Sequence, residues 1–119
     1  MHELGVTFYV VRDVKKVAEE NNVKKIDYVT LEIGEVSGVI HDQLVDCWNW
    51  ARKKEAVTDH AKIYIETLEA ITYCEDCKGQ YRTIDYGKTC PYCHSEHTYL
   101  LKGNEFNIKE IGIYEDSGT

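Results

Sequence analysis

Four of the five cysteines in this 119-residue chain stand as two pairs, Cys74-Glu75-Asp76-Cys77 and Cys90-Pro91-Tyr92-Cys93. Two residues between partners let a tight turn aim both sulfurs at one point, and two such knuckles face to face make a tetrahedral four-thiolate cage. Residues 78–89 are long enough for a hairpin that brings the pairs together. Zinc is the default ion for such a closed cage, which leaves no open position for a substrate. Iron suits tetrahedral sulfur too, as in a rubredoxin-like electron carrier, and spacing alone leaves that alternative open. Cys93-His94 also completes the Cys-x-x-Cys-His pattern of haem attachment, but that use strands Cys74 and Cys77. The start Met1-His2-Glu3-Leu4-Gly5 has neither the basic region nor the apolar core of a secretory signal. The expected compartment is therefore the cytoplasm, where paired thiols read as metal ligands rather than disulfides.

A second chemistry sits at the other end of the chain. A histidine in second position offers a planar donor set: the α-amine of Met1, the backbone nitrogen of His2 and its ring. Planar nitrogen donors favour Ni²⁺ or Cu²⁺ over zinc. Glu3 would add an oxygen or orient the ring from behind. His94 and His97 flank the last knuckle, where protonatable rings beside thiolates are candidate pH modulators, since metal ligands must lose their protons to bind.

Composition narrows the partners. The formal charge is −7, and a zinc-filled four-thiolate cage adds two further negative charges. Between Ala70 and Asn104, Lys78, Arg82, Lys88 and Lys102 face Glu75, Asp76, Asp85 and Glu96, so the cysteine module has no basic face for nucleic acid. No apolar run approaches the roughly 18 residues of a membrane span.

The elements that must carry these sites are read from periodicity. Val6, Val10, Val14, Val17 and Ala18 share one helical face over residues 4–22, which Asn21-Asn22 ends. Residues 25–33 alternate through Val29, Leu31 and Ile33 as a strand. After the Gly34 to Gly38 turn, Leu44, Cys47, Trp48 and Ala51 recur at helical spacing over residues 41–54, with Cys47 read as a small buried hydrophobe. Residues 61–67 alternate through Ile63 and Ile65. A last strand at 105–114 places Phe106 and Ile108 in one phase and Ile111 and Ile113 in the other, implying a bulge near Lys109-Glu110. The expected fold is α+β: two helices on a small, mostly antiparallel three-stranded sheet, with a zinc-ribbon-like Cys₄ module inserted between the last two strands. The expected division is 1–70 plus 104–115, then 71–103, with 116–119 a loose tail.

Met1-His2-Glu3-Leu4, Leu31-Glu32-Ile33-Gly34-Glu35-Val36-Ser37-Gly38, the two cysteine pairs, Gly103-Asn104-Glu105 and Ile108-Lys109 together resemble the HypA/HybF family of hydrogenase nickel-incorporation proteins, nearly end to end. The resemblance implies a nickel metallochaperone rather than an enzyme. It implies delivery of Ni²⁺ to the large subunit of [NiFe]-hydrogenase with the maturation GTPase HypB, and urease as a second client in some relatives. It carries nickel binding over to Met1, His2 and Glu3, and structural zinc to Cys74, Cys77, Cys90 and Cys93. Asp42 or His41 becomes a further nickel candidate, against the plainer reading of a helix cap. Gly5-Val6-Thr7-Phe8-Tyr9 departs from the small and aliphatic run usual in the family. Without the resemblance, a zinc-ribbon protein adaptor and an iron electron carrier remain the competing readings.

Overall fold

The computed structural model describes residues 3–114. In chain order these form α1 (Glu3–Glu20), β1 (Ile26–Gly34), α2 (His41–Ala51), two single 3₁₀ turns (Arg52–Lys54 and Ala56–Thr58), β2 (Lys62–Leu68), β3 (Ile71–Cys74), β4 (Gln80–Arg82), the one-turn helix α3 (Thr83–Tyr86), β5 (Thr98–Lys102) and β6 (Phe106–Ile113). One three-stranded sheet has the order β2-β1-β6, the other β4-β3-β5. The α+β architecture is as the periodicity implies, with the cysteine segment between β2 and β6. Among the described residues no helix is long and apolar enough to cross a membrane.

The chain divides into two compact units: one holds residues up to Leu31, Val39–Ile65 and those from Ile108, the other Glu32–Gly38 and Glu66–Asn107. In the first, α1 packs on α2. Val10, Val14 and Ala18 of α1, Leu44, Trp48 and Ala51 of α2 and Ile26, Val29 and Leu31 of β1 are all fully or almost fully buried core residues. The helical stripe of α1 is rotated from the expected one: Thr7 and Val11 are buried, while Val17 is exposed. The stripe at i, i+4 and i+7 through Leu44, Trp48 and Ala51 likewise leaves Cys47, at i+3, only half-buried. α2 ends at Ala51 rather than 54, the remaining turn tightening to 3₁₀. Along β6, half-buried Phe106 and Ile108 give way to exposed Lys109 and Glu110 before half-buried Ile111.

Trp48 is fully buried and its indole N–H donates to the Ala61 carbonyl at 2.9 Å. Trp48→Phe leaves that carbonyl without its donor and opens a void. The expected loss is about 2–4 kcal/mol in urea denaturation; a change under about 1 kcal/mol would contradict this role.

The second unit is built on β3. Its hairpin with β4 is antiparallel, with Ile71↔Arg82, Thr72↔Tyr81 and Tyr73↔Gln80. On the other side β5 pairs Cys74↔Thr98 and Tyr73↔Tyr99, with a register shift between Ile71 and Thr72. The apolar nucleus around this sheet is small, Cys74 and Cys90 with the Tyr81 ring. Two of its three members are cysteines, so this nucleus is largely the sulfur cage itself.

Candidate metal centre

Each knuckle follows the same local rule. The first cysteine's carbonyl accepts from the residue just past the second cysteine, Lys78 N–H to Cys74 at 2.9 Å and His94 N–H to Cys90 at 2.8 Å. The first cysteine's own N–H reaches one residue further, to Gly79 and Ser95 respectively, both at 2.9 Å. Such a closure needs a left-handed residue after each pair. Lys78 (φ 64°) and His94 (φ 63°) supply it. His94 therefore has a backbone reason for its position, and its exposed ring is secondary to that.

The turns bring the four Sγ atoms within 4.8 Å of one another. Cys74 and Cys93 lie 3.6 Å apart, Cys77 and Cys90 3.5 Å apart. Four sulfurs about 2.3 Å from a central zinc would sit about 3.8 Å apart, so the donor set fits a tetrahedral ion, and none of the four is in a disulfide. Cys74 and Cys90 are buried while Cys77 and Cys93 face solvent.

Crowding separates the thiols. Burial alone would raise Cys90, but amide N–H groups of Cys93 and Tyr92 directed at its sulfur outweigh that and bring it down to about 7. The Ser95 N–H lowers Cys93, yet desolvation and the sulfurs of Cys74, Cys77 and Cys90 together push it up to about 12. Cys77, despite the Gly79 N–H, is raised as well. The raised thiols of Cys77 and Cys93 hold their protons more tightly than a free cysteine, and a metal must expel them to bind.

Around the cage, Asp76 ties the two knuckles together. It accepts from the Ser95 hydroxyl and from His97 Nδ1 at 3.2 Å, while Glu75 N–H donates to the His97 carbonyl at 2.9 Å. The Ser95 hydroxyl, with His97 and Lys78 behind it, holds the Asp76 carboxyl below the usual range. His97 thus braces the first knuckle from the strand side. His60 lies exposed beside Asp59 at 3.5 Å.

The other predicted site is seen through Glu3, since Met1 and His2 lie outside the described residues. Glu3 is the first residue of α1 and is buried. Its Oε1 accepts the Ile40 N–H at 3.2 Å. Ile40 is the N-cap of α2 and makes no side-chain cap bond of its own. The expected cap role for Asp42 is therefore not what is found: Asp42 sits exposed in the first turn, and the carboxylate at this end of the helix comes from α1. His41 is half-buried beside it.

Two carboxylates that the sequence marks only within the family resemblance shape the second unit. Glu35 Oε2 accepts the Ala70 N–H at 2.8 Å and Glu105 Oε1 accepts the Gly103 N–H at 2.7 Å. Their signal was present as glutamates beside glycines, in Gly34-Glu35 and Gly103-Asn104-Glu105.

Residues 1–113 match the family model described as "Hydrogenase/urease nickel incorporation, metallochaperone, hypA". The chain is 32% identical over 114 residues to the hydrogenase maturation factor HypA of Geotalea uraniireducens, covering 95% of this chain and 99% of that protein. It is 30% identical to the HypA of Actinobacillus succinogenes, with 95% and 99% covered. Among solved structures it is similar to the solution structure of the Ni metallochaperone HypA from Helicobacter pylori, with a TM-score of 0.71 at 26% identity, covering 95% of this chain and 97% of that one. A second HypA solution structure gives a TM-score of 0.73 at 27% identity, with 96% and 97% covered.

Proposed function

Because the chain belongs to the HypA family of hydrogenase/urease nickel-incorporation metallochaperones, we propose that it takes up Ni²⁺ at its N-terminus and passes it on during hydrogenase maturation. The structural observation that carries this is the seating of Glu3 at the N-terminal end of α2, where His41 and Asp42 stand. Two residues separate that anchor from the α-amine, a reach of at most about 7 Å. Met1, His2 and Glu3 form the capture set, and Asp42 or His41 is the neighbour able to complete it.

Nitrogen donors of a chain end capture Ni²⁺ and can be replaced one at a time by an acceptor's ligands. A closed four-sulfur cage cannot release its ion that way. The two sites accordingly divide the work. Cys74, Cys77, Cys90 and Cys93 hold structural zinc in a cysteine module over 71–103, and the rest of the chain, residues 1–70 and 104–115, carries the nickel. The recipient is the [NiFe]-hydrogenase large subunit, with the GTPase HypB as co-worker, in the cytoplasm. Urease maturation is a second possible destination in view of the family's description. The protein's task is delivery rather than catalysis. An adaptor without nickel, or an iron electron carrier, accounts for the cysteine cage but not for the match from residue 1 to 113.

The test is metal analysis of untagged protein before and after adding Ni²⁺. Stoichiometric nickel beside retained zinc is expected, with nickel lost in His2→Ala and in protein carrying an N-terminal extension. Unchanged nickel stoichiometry in either variant would refute the site; iron and a red colour would instead support the electron carrier.

A further inference from the structure

The second unit carries an open groove of about 370 Å³ that the cysteine cage does not use. Its walls include Tyr81, Tyr86 and Tyr92, with Gln80, Arg82 and Asp85 around them. All three rings are positioned by local contacts. Tyr81 donates its hydroxyl to the Gly87 carbonyl at 2.8 Å. Tyr86 stands edge-on to Tyr81, centroids 5.9 Å apart and planes at 82°. Tyr92 donates to the Gln80 carbonyl at 3.2 Å, and its ring lies over Gly79, where a Cβ would come within 2.8 Å of Cδ2. Yet Tyr86 and Tyr92 remain 53% and 66% exposed.

Rings fixed in place but left in water are prepared for a ligand. With the Tyr81 and Tyr92 hydroxyl protons engaged by backbone carbonyls, what a cation would meet on the exposed Tyr86 and Tyr92 is the aromatic ring, whose face is the negative side of the quadrupole. Its one cation is already neutralised: Arg82 Nε lies 3.3 Å from Glu69 and 3.7 Å from Asp85. The surrounding unit sets nine carboxylates against four Lys and Arg side chains, which attracts cations and repels phosphate. We infer that this groove, formed by Tyr81, Tyr86, Tyr92 and Asp85, is a recognition cage for a lysine or arginine side chain on a basic segment of a partner protein. The nickel reading does not enter this argument, and the test below does not depend on it.

The probe is the peptide acetyl-Gly-Arg-Gly-Lys-Gly-amide, titrated into the zinc-loaded, full-length chain and followed by ¹H–¹⁵N shifts. Saturable shifts centred on Gly79, Arg82, Tyr86 and Tyr92 are expected, weakening as salt rises from about 50 to about 500 mM. Tyr86→Ala and Tyr92→Ala should each weaken binding by about three- to fivefold, whereas Tyr86→Phe and Tyr92→Phe keep it within about twofold because the ring face remains. Asp85→Asn should weaken it by about twofold. Dispersed spectra of each variant establish that the unit is folded. Three results would overturn the cage. Equal shifts of the same amides by the matching acetyl-Gly-Leu-Gly-Leu-Gly-amide would mean apolar docking. Unchanged binding of the basic peptide to the alanine variants would mean diffuse charge attraction. No saturable shift at all would leave the groove without this ligand.

Discussion

Cys90→Ser is expected to unfold the second unit while leaving the first intact. Cys90 is fully buried, belongs to the small nucleus with Cys74 and Tyr81, and lies 3.5 Å from Cys77 across the cage. Binding of a structural zinc is worth about 10–16 kcal/mol of apparent folding free energy, against roughly 3–5 kcal/mol from the core of a domain this small. Removing one ligand therefore removes most of what holds β3, β4 and β5 together. The chain's chromophores separate the two outcomes. Both tryptophans, Trp48 and Trp50, lie on α2 in the first unit, whereas Tyr73, Tyr81, Tyr86, Tyr92 and Tyr99 lie in the second. Amide dispersion over residues 66–107 should collapse while the tryptophan signal persists, with only part of the tyrosine dichroism lost because Tyr9, Tyr28, Tyr64 and Tyr114 lie in the first unit, and a strong chelator should reproduce the effect in the unmodified chain. A dispersed, metal-free second unit would show that its sheet stands without the cage. The pH dependence has a definite sign. Metal competes with protons on thiols, one of them raised to about 12, so apparent zinc affinity rises with pH and falls on acidification.

The parts of this molecule that could be read from sequence are those with a long repeat or a fixed spacing. Leu44, Trp48 and Ala51 announce α2, alternation through Val29, Leu31 and Ile33 announces β1, and the two Cys-x-x-Cys pairs announce the cage. What escaped has a physical reason in each case. β4 is three residues long with only Tyr81 buried, too short for a period to emerge. The stripe of α1 was misjudged because Val17 is apolar yet exposed and Thr7 is polar yet fully buried; type alone does not reveal which face a neighbouring helix will cover. The place of Glu3 was the hardest to foresee, since its partner at Ile40 lies 37 residues away and bonds through a backbone amide, which has no sequence signature.

That blindness to backbone contacts extends to Gly34, which the sequence marks only as a turn residue, and to Gly103, which it marks only within the family resemblance. Gly34→Ala is expected to destabilise the protein by about 3 kcal/mol or more, because the added Cβ would lie 1.9 Å from the Gly103 carbonyl oxygen. Neither strand can retreat. The Gly34 N–H donates to the Glu105 carbonyl at 2.9 Å and the Val36 N–H to that same Gly103 carbonyl at 2.8 Å. Gly103 in turn has φ 122° and would place its own Cβ 2.3 Å from that of Ala70. Ala70 is pinned by Glu35. Three backbone segments thus cross with no room for a side chain, and Gly103→Ala adds a forbidden φ to the clash. Gly38 is the internal comparison: it also has a positive φ, 82°, but nothing lies within 4 Å of an added Cβ. Gly38→Ala should therefore lose only the conformational strain, about 1–2 kcal/mol. Urea denaturation of the three variants, read at the amides of residues 66–107, separates crowding from strain. Equal destabilisation of Gly34→Ala and Gly38→Ala would show that the crossing is looser than its distances imply. The expected order, Gly103→Ala and Gly34→Ala well beyond Gly38→Ala, places the Gly-Glu motifs in the fold of the cysteine unit rather than in metal capture.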